Sequence, residues 1–437
     1  MLNAITSFAQ TPSIEDYLAK KGYQGVKNAL KMKPEAVIAE VKNSGLRGRG
    51  GAGFPTGIKW ETVLEEYPRY IVCNADEGEP GTFKDRLLLE TSPHLILEGM
   101  IIAGYANKAA KGYIYIRGEY PKEAKIVENA IAEAKAKNFL GDNIQGSGFS
   151  YEIEVKRGGG SYVVGDETAL LNSLMGFRGQ PWHKPPYPTQ SGLWGKPTIV
   201  NNVETLACVS LILQQGASWF AGIGSPECPG PKLYCISGNV EKPGVYEFPM
   251  GTTLREILNQ AKIKGVLKAV QIGGTAGPIY STESLTLASK TEFWSLGMPG
   301  VVYQAEVLDF QLDFANMRKV GGSLGSGAIV VMNQSVSMVD VLEVTMRFFS
   351  EESCGKCFPC RFGTRQLEHM ANLITTGQGK EEFIPLMEKT AKTMEKASLC
   401  PLGQSVVMPL KGILANFKPE ILSFIKHQKY IKGGRYE

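Results

Sequence analysis

Gly45-Leu46-Arg47-Gly48-Arg49-Gly50-Gly51-Ala52-Gly53-Phe54-Pro55-Thr56-Gly57-Ile58-Lys59 places six glycines, three cations and one aromatic ring in fifteen positions. Glycine leaves room for successive backbone N–H groups to turn toward one anion, while Arg47, Arg49 or Lys59 adds formal positive charge, so the stretch reads as a nucleotide-phosphate cradle. Gly48, Gly50 and Gly53 satisfy G-x-G-x-x-G, but the context differs from an ordinary dinucleotide fold, in which a strand precedes the glycines. Here Pro34 to Ser44 reads as a helix, with Pro in the first turn, Val37, Ile38 and Val41 on one face, and Asn43-Ser44-Gly45 as a stop. The loop therefore joins two helices. A flexible linker is the alternative, but linkers carry few bulky groups, whereas Phe54, Pro55 and Ile58 look placed, and Phe54 can stack on a flat ring.

Outward from the loop, residues 13 to 44 read as helix, turn, helix, with Ser13 and Asp16 as a capping start. Trp60 to Glu66 reads as a short helix. Tyr70 to Cys73 reads as a buried strand ending in the acidic turn Asn74-Ala75-Asp76-Glu77-Gly78-Glu79-Pro80-Gly81. An apolar helix over Leu95 to Ala106, a strand over Tyr113 to Arg117, a helix over Glu123 to Lys135 and a strand over Tyr151 to Lys156 follow, an alternation that implies a parallel α/β sheet. After Gly158-Gly159-Gly160, the turn from Tyr162 through Gly165 and Asp166 to Glu167 puts a Tyr and two acids at a strand's carboxyl end, where ligands bind in such sheets. In Val200-Asn201-Asn202 either Asn can cap the next helix or face an anion. From about 231 the order strand, strand, helix, strand, closing at Ala328 to Met332, suits a ubiquitin-like grasp. From about 338 only helix patterns remain, so a helical bundle is expected.

The 437 residues suffice for two to four domains, and 43% apolar with 21% charged residues is ordinary for a globular protein. A net charge of +4 without a dense basic block indicates neither nucleic acid nor anionic membrane as partner. No apolar run reaches the roughly eighteen residues of a membrane span, and Met1 to Pro12 lacks a secretory pattern, so a protein of the cytosolic side is expected.

Eight cysteines divide into Cys73, Cys208, Cys228 and Cys235, read as core thiols, and four in the helical tail. Cys354, Cys357 and Cys360 form C-x2-C-x2-C, and Cys400 follows directly before Pro401, which is the spacing of a [4Fe–4S] cluster. Structural zinc is the alternative, but there is no second C-x2-C pair and no nearby His except His369.

Together these motifs, with Ser191 to Pro197, resemble in order and over nearly the whole chain the NADH-binding flavoprotein (F-type) subunit of respiratory complex I, NADH:quinone oxidoreductase. The resemblance implies FMN held by the glycine loop (Gly48, Arg49, Gly50, Gly51), Lys59, Asn74, Asp76, Tyr162, Gly165, Asp166, Glu167, Val200, Asn201 and Asn202, with NADH near Phe54, Glu79 and Tyr187. Asp76, Glu77 and Glu79 would tune the flavin and fix the ribose or amide, unless they form only a solvated turn. Cys354, Cys357, Cys360 and Cys400 would hold the cluster. Val164 and Asp166 stand where Cys and Glu are expected, Gly78 where Ser is, and Tyr187 where Phe is commoner.

The implied architecture is a Rossmann-like α/β domain with a parallel sheet (45–230) after N-terminal helices (1–44), a ubiquitin-like β-grasp domain (231–335) and a helical [4Fe–4S] domain (336–437). The chemistry implied is hydride transfer from NADH to FMN and single-electron delivery to the cluster, because a flavin can do both. The implied partners are a smaller [2Fe–2S] thioredoxin-like subunit and a large multi-cluster iron–sulfur subunit, holding the chain on the inner membrane face without insertion. A diaphorase subunit of a soluble hydrogenase or formate dehydrogenase shares every motif, although the lack of fused domains favours complex I. A zinc scaffold binding a nucleotide without catalysis is the reading from another class. Glu167 is expected to repel the ribose phosphate of NADPH, or else only to cap the following helix.

Overall fold

The structure, a computed structural model, describes residues 2–282 and 307–427. These fall into two compact units. The first comprises the chain up to Gly78, Thr82–Tyr234 and Val245–Thr252; the second comprises Glu79–Gly81, Cys235–Gly244 and the described residues from Thr253 onward.

The first unit opens with α1 (Ile14–Ala19), α2 (Gln24–Ala29) and α3 (Pro34–Asn43), the expected helix, turn, helix with one break more. The Ser13 hydroxyl caps α1 by accepting from the Asp16 N–H. The helix expected from Trp60 begins earlier, as α4 (Thr56–Glu61), because extended Pro55 serves as its N-cap. The sheet follows: β1 (Tyr70–Ala75), α5 (Lys84–Thr91), α6 (Pro93–Ala106), β2 (Lys111–Ile116), α7 (Pro121–Ala136), β3 (Glu152–Arg157), α8 (Glu167–Leu174), β4 (Thr198–Asn202) and α9 (Val203–Gln215). The strands run parallel in the order β3-β2-β1-β4, with Tyr70 opposite both Lys111 and Thr198. The chain thus builds outward on one side of β1 and then crosses to the other. That reversal opens a crevice at the carboxyl ends of β1 and β4, where open α/β sheets bind ligands.

Helix α6 is buried on nearly every face, as is α9 from Val203 to Leu213. A helix apolar all round belongs in a core. Their crossing is so close that a Cβ on Gly99 would stand 2.0 Å from the Leu206 carbonyl oxygen. Glu98, beside it, accepts hydrogen bonds from Tyr17 Oη and from the N–H groups of Tyr23 (3.0 Å) and Val26 (3.1 Å), tying α1 and α2 to the core. Burial pushes the Glu98 carboxyl up to about 7 against the hydrogen bonds that lower it. Among the described residues no single helix is long and apolar enough to cross a membrane. The bent pair α5 and α6 passes by length and composition, but α6 lies inside the core.

In the second unit four strands lie side by side in the order Ile279–Ser281, Leu267–Ile272, Ala328–Asn333, Pro231–Gly238, of which the last enters this unit at Cys235. Ala328 pairs parallel with Cys235, whereas Ile329 pairs antiparallel with Ile272. Leu254–Ala261 is a helix started by a Thr253/Glu256 capping box. Beyond Asn333 the described residues form helices alone, Met338–Glu351, Phe358–Thr375, Phe383–Ala397, Pro401–Ser405, Val407–Asn416 and Lys418–His427. A Cβ on Gly363 would stand 2.4 Å from Met394 Sδ, so the second and third of these pack closely.

Candidate functional site

The glycine stretch is a hairpin between α3 and α4. Gly48 N–H donates to Phe54 O (2.9 Å) and Thr56 N–H to Leu46 O (2.8 Å), closing its base and leaving 49–53 as its tip. Gly51 has φ 145° and Gly53 φ 66°, backbone that L side chains rarely adopt. A Cβ on Gly50 would stand 3.1 Å from Asn202 Cβ, so the tip lies against the carboxyl end of β4, at the crevice.

The two hairpin arginines fasten the loop. Arg47 Nε donates to Glu227 O (3.0 Å) and its Nη1 to Gly53 O (3.2 Å). The Arg49 side chain is fully buried, donating to Pro229 O (2.7 Å), and its N–H donates to Thr205 Oγ1 (2.8 Å). Its Nε and Nη1 are buried with no hydrogen-bond partner among the described residues. Glu77 is buried too. Its carboxylate accepts from Asp85 N–H (2.8 Å) and Arg86 N–H (2.9 Å), holding the start of α5, and burial with the neighbouring Asp85 pushes it up to about 7.

Several expected residues do come together at the carboxyl ends of β1 and β4. Lys59 Nζ bridges Glu167 Oε2 (2.9 Å) and Val200 O (2.9 Å). Asn74 Nδ2 donates to Gly165 O (2.9 Å), and Asn74 Oδ1 accepts from Asp76 N–H (3.1 Å). Gly78 packs against Tyr162, where an added Cβ would meet Tyr162 Cα at 3.2 Å. Asp166, not Glu167, caps α8, accepting from the Thr168 and Ala169 N–H groups. Asn201 Oδ1 accepts from Trp60 Nε1 (3.0 Å). Phe54 and Tyr187 are each about half exposed, leaving ring faces open. Glu79 belongs to the second unit, where it accepts from Ala276 N–H (3.1 Å).

Sequence reasoning missed Lys184, whose Nζ meets Glu167 Oε1 at 2.7 Å. Burial raises the Glu167 carboxyl, but the Lys59 and Lys184 charges outweigh it and hold it at about 2. It also missed a buried ion chain behind the crevice, in which Glu204 Oε2 meets Lys232 Nζ (2.6 Å) and Lys84 Nζ (3.0 Å), and Lys84 meets Asp85 (2.7 Å). The available signal was charge placed where helices should be apolar, in Phe83-Lys84-Asp85 and Val203-Glu204.

The hairpin suits a flavin phosphate: it is close-packed at Gly50, where a Cβ would crowd Asn202, it holds Gly51 at φ 145°, and Lys59 supplies a cation at Val200 O. In the second unit Cys357 is the N-cap of Phe358–Thr375 and Cys400 that of Pro401–Ser405. Cys360 packs where a Gly403 Cβ would stand 3.0 Å from its own Cβ, bringing the two cysteine segments side by side. Burial pushes the Cys360 thiol up to about 11. None of the eight cysteines is in a disulfide, and among the described residues no three His, Cys, Asp or Glu converge on a single ion. Cys73, Cys208, Cys228 and Cys235 are all buried.

Known proteins agree with this partition. Residues 41–211 match the Nuo51 FMN-binding domain, residues 340–423 the NADH-ubiquinone oxidoreductase-F iron-sulfur binding region, and residues 233–261 an SLBB domain. The chain is 42% identical over 423 residues to the second F-type subunit of the NADH-quinone oxidoreductase of Rhizobium meliloti, covering 95% of each. It is 43% identical over 423 residues to the corresponding F-type subunit of Aquifex aeolicus, covering 96% of this chain and 93% of that one. It is also 41% identical over 430 residues to HndC, a subunit of the NADP-reducing hydrogenase of Solidesulfovibrio fructosivorans, covering 97% and 82%. Among solved structures, a chain of an NAD+-reducing [NiFe]-hydrogenase in the air-oxidized state superposes with a TM-score of 0.78 at 36% identity; the match spans 90% of this chain and 63% of that one. With an FMN-binding domain, an iron–sulfur region and this identity over almost its whole length, the chain belongs to the family of F-type subunits of NADH-quinone oxidoreductase.

Proposed function

We propose that this chain oxidises NADH at FMN and passes the electrons one at a time to a [4Fe–4S] cluster, from which partner subunits carry them toward quinone. The observation that carries the reading is the pairing, in one chain, of the tight glycine hairpin at the β1–β4 crevice with Cys354, Cys357, Cys360 and Cys400 on packed helices. Bound FMN supplies the exchange between a hydride pair and single electrons. The chain itself supplies orientation. The hairpin N–H groups and Lys59 bind the phosphate, while Asn74, Asp76, Tyr162, Gly165 and the Val200–Asn201 backbone line the ring site. Phe54 and Tyr187 offer ring faces against which the nicotinamide end of NADH is held.

This reading divides the chain at 45, 231 and 336, with a Rossmann-like FMN domain, a ubiquitin-like β-grasp domain and a helical cluster domain. Its partners are a smaller [2Fe–2S] thioredoxin-like subunit and a large multi-cluster iron–sulfur subunit, through which the chain sits peripherally on the inner membrane face. Purified protein should be yellow, contain FMN and acid-labile sulfide, and reduce ferricyanide with NADH. A colourless protein containing zinc would overturn the reading.

A second reading is favoured by the 41% identity to HndC and by the hydrogenase superposition: the same chemistry in a diaphorase of a soluble hydrogenase. Isolation from native membranes and cytosol separates the two. Co-purification with hydrogenase activity selects the diaphorase, and rotenone-type quinone-site inhibition of NADH oxidation selects complex I.

A further inference from the structure

Asn202 reads as a cap for the next helix or a cofactor contact; its carboxamide caps α9 and is held at both ends by protein. Its Oδ1 accepts from Glu204 N–H (3.0 Å) and from Lys84 Nζ (3.3 Å), and its Nδ2 donates to Asp85 Oδ2 (2.6 Å). A carboxamide has an acceptor end and a donor end of nearly equal shape, so only partners of opposite polarity fix which way it points. Here a cation stands on the oxygen and an anion on the nitrogen, and flipping the group would set like against like at both ends. Lys84 is fully buried and Asp85 nearly so. The pair is in turn held from behind, where Glu204 Oε2 accepts from Lys84 and Lys232 and Glu204 Oε1 accepts from Leu233 N–H (2.8 Å). Asp85 is also held in place by its own N–H, which Glu77 accepts. So locked, Asn202 lies flat beneath the hairpin tip. Its Cβ, Cγ and Nδ2 stand 3.1, 3.5 and 3.7 Å from the point a Gly50 Cβ would occupy.

We propose that Lys84 and Asp85 are positioning residues for the glycine hairpin: by gripping both ends of the Asn202 carboxamide they fix the surface on which Gly50 rests, and so pre-set the hairpin for FMN. A buried ion pair is a poor source of net stability, since desolvation offsets most of its Coulomb energy, but it is an effective way to impose one orientation on a third group. The inference rests on the reading that the hairpin holds FMN.

The test uses the full chain with Asp85→Asn, which is nearly isosteric, and Lys84→Met, which keeps length without charge. Hydrogen–deuterium exchange of the 48–53 amides is followed in the flavin-free protein, and FMN affinity by quenching of flavin fluorescence. Iron content, which depends on cysteines of the other compact unit, reports that the chain is intact. Expected are faster exchange at the hairpin tip and FMN binding about 10- to 100-fold weaker, or about 1.4–2.8 kcal/mol, at full iron content. If Lys84→Met does not accumulate, Asp85→Asn decides alone. A merely structural pair would lower the melting temperature while leaving hairpin exchange and FMN affinity at wild-type values, and that result overturns the proposal. Wild-type protein that binds no FMN would instead sink the cofactor reading, and the exchange measurement would still judge the positioning role.

Discussion

Replacing Glu167 by Gln isolates the charge that should decide between NADH and NADPH. In the folded chain this carboxylate lies between Lys59 at 2.9 Å and Lys184 at 2.7 Å, is about one-fifth exposed, and is held at about 2, so it is ionised wherever the protein is assayed. Removing it takes one negative charge from a group that also holds Lys59, Lys184 and Asp166. A unit charge about 5 Å from a ribose phosphate is worth roughly 3 kcal/mol at an effective dielectric near 20. Solvent and salt in an open crevice reduce this to about 1–2 kcal/mol, a 5- to 30-fold change. The two lysines do not cancel the effect, because the field of the carboxylate adds linearly to theirs. Steady-state kinetics of Glu167→Gln with both cofactors should therefore show the NADPH-to-NADH ratio of kcat/KM rising by that factor, with FMN content followed alongside. Lys184→Met should move the ratio the other way. An unchanged ratio in a Glu167→Gln protein that keeps its FMN refutes the specificity role, leaving Glu167 as the group that holds Lys59.

Cys400→Ala should abolish the four-iron electron paramagnetic signal without loss of FMN; a full signal removes Cys400 from the ligand set. Gly51→Val forces a branched side chain onto φ 145° and should cost about 1–3 kcal/mol of strain at the hairpin, read as loss of FMN from a folded protein. Glu98 titrates at about 7 in the fold against 4.5 for its ordinary value, so the folded state holds a proton that the unfolded chain releases. Its contribution is therefore complete below about pH 4.5 and lost as pH rises through 7, by up to roughly 3 kcal/mol. Denaturant unfolding of Glu98→Gln between pH 5 and 7.5 should show a flatter slope than wild type.

The elements set by periodicity and by chain-breaking residues were legible in the sequence: β1, α6 and α7 lie close to where their patterns put them, and α9 follows the Asn that reads as a possible cap. Helix α5 was not legible, because its buried Lys84 and Asp85 look like a solvated start until Glu204 and Asn202, more than a hundred positions away, are brought against them. The same reason explains Arg49 and Glu77. A cation among glycines and an acid in a polar turn read as ligand-facing, but the partners that turn them inward, Pro229 and the start of α5, cannot be paired with them by local pattern. The glycine at Gly51 was easier to foresee, since a positive φ in a tight turn is a local need, whereas the crowding of Gly50 by Asn202 is not. The cysteine spacing was legible for a related reason: C-x2-C-x2-C brings three thiols together within one turn and one helix start, whatever the rest of the chain does.

The near-contact of Gly99 with the Leu206 carbonyl sets a schedule for synthesis. Helix α6 is buried on nearly every face, and one of the helices that cover it, α9, lies roughly a hundred residues later, so at ribosomal rates that face of α6 waits about 5–20 s for its cover. During that interval α1, α2 and α3, already synthesised, cover part of α6, and the face that Leu206 will meet stays bare. Rare codons placed between β2 and α9 would lengthen the exposure and lower the yield of folded protein without altering a single residue.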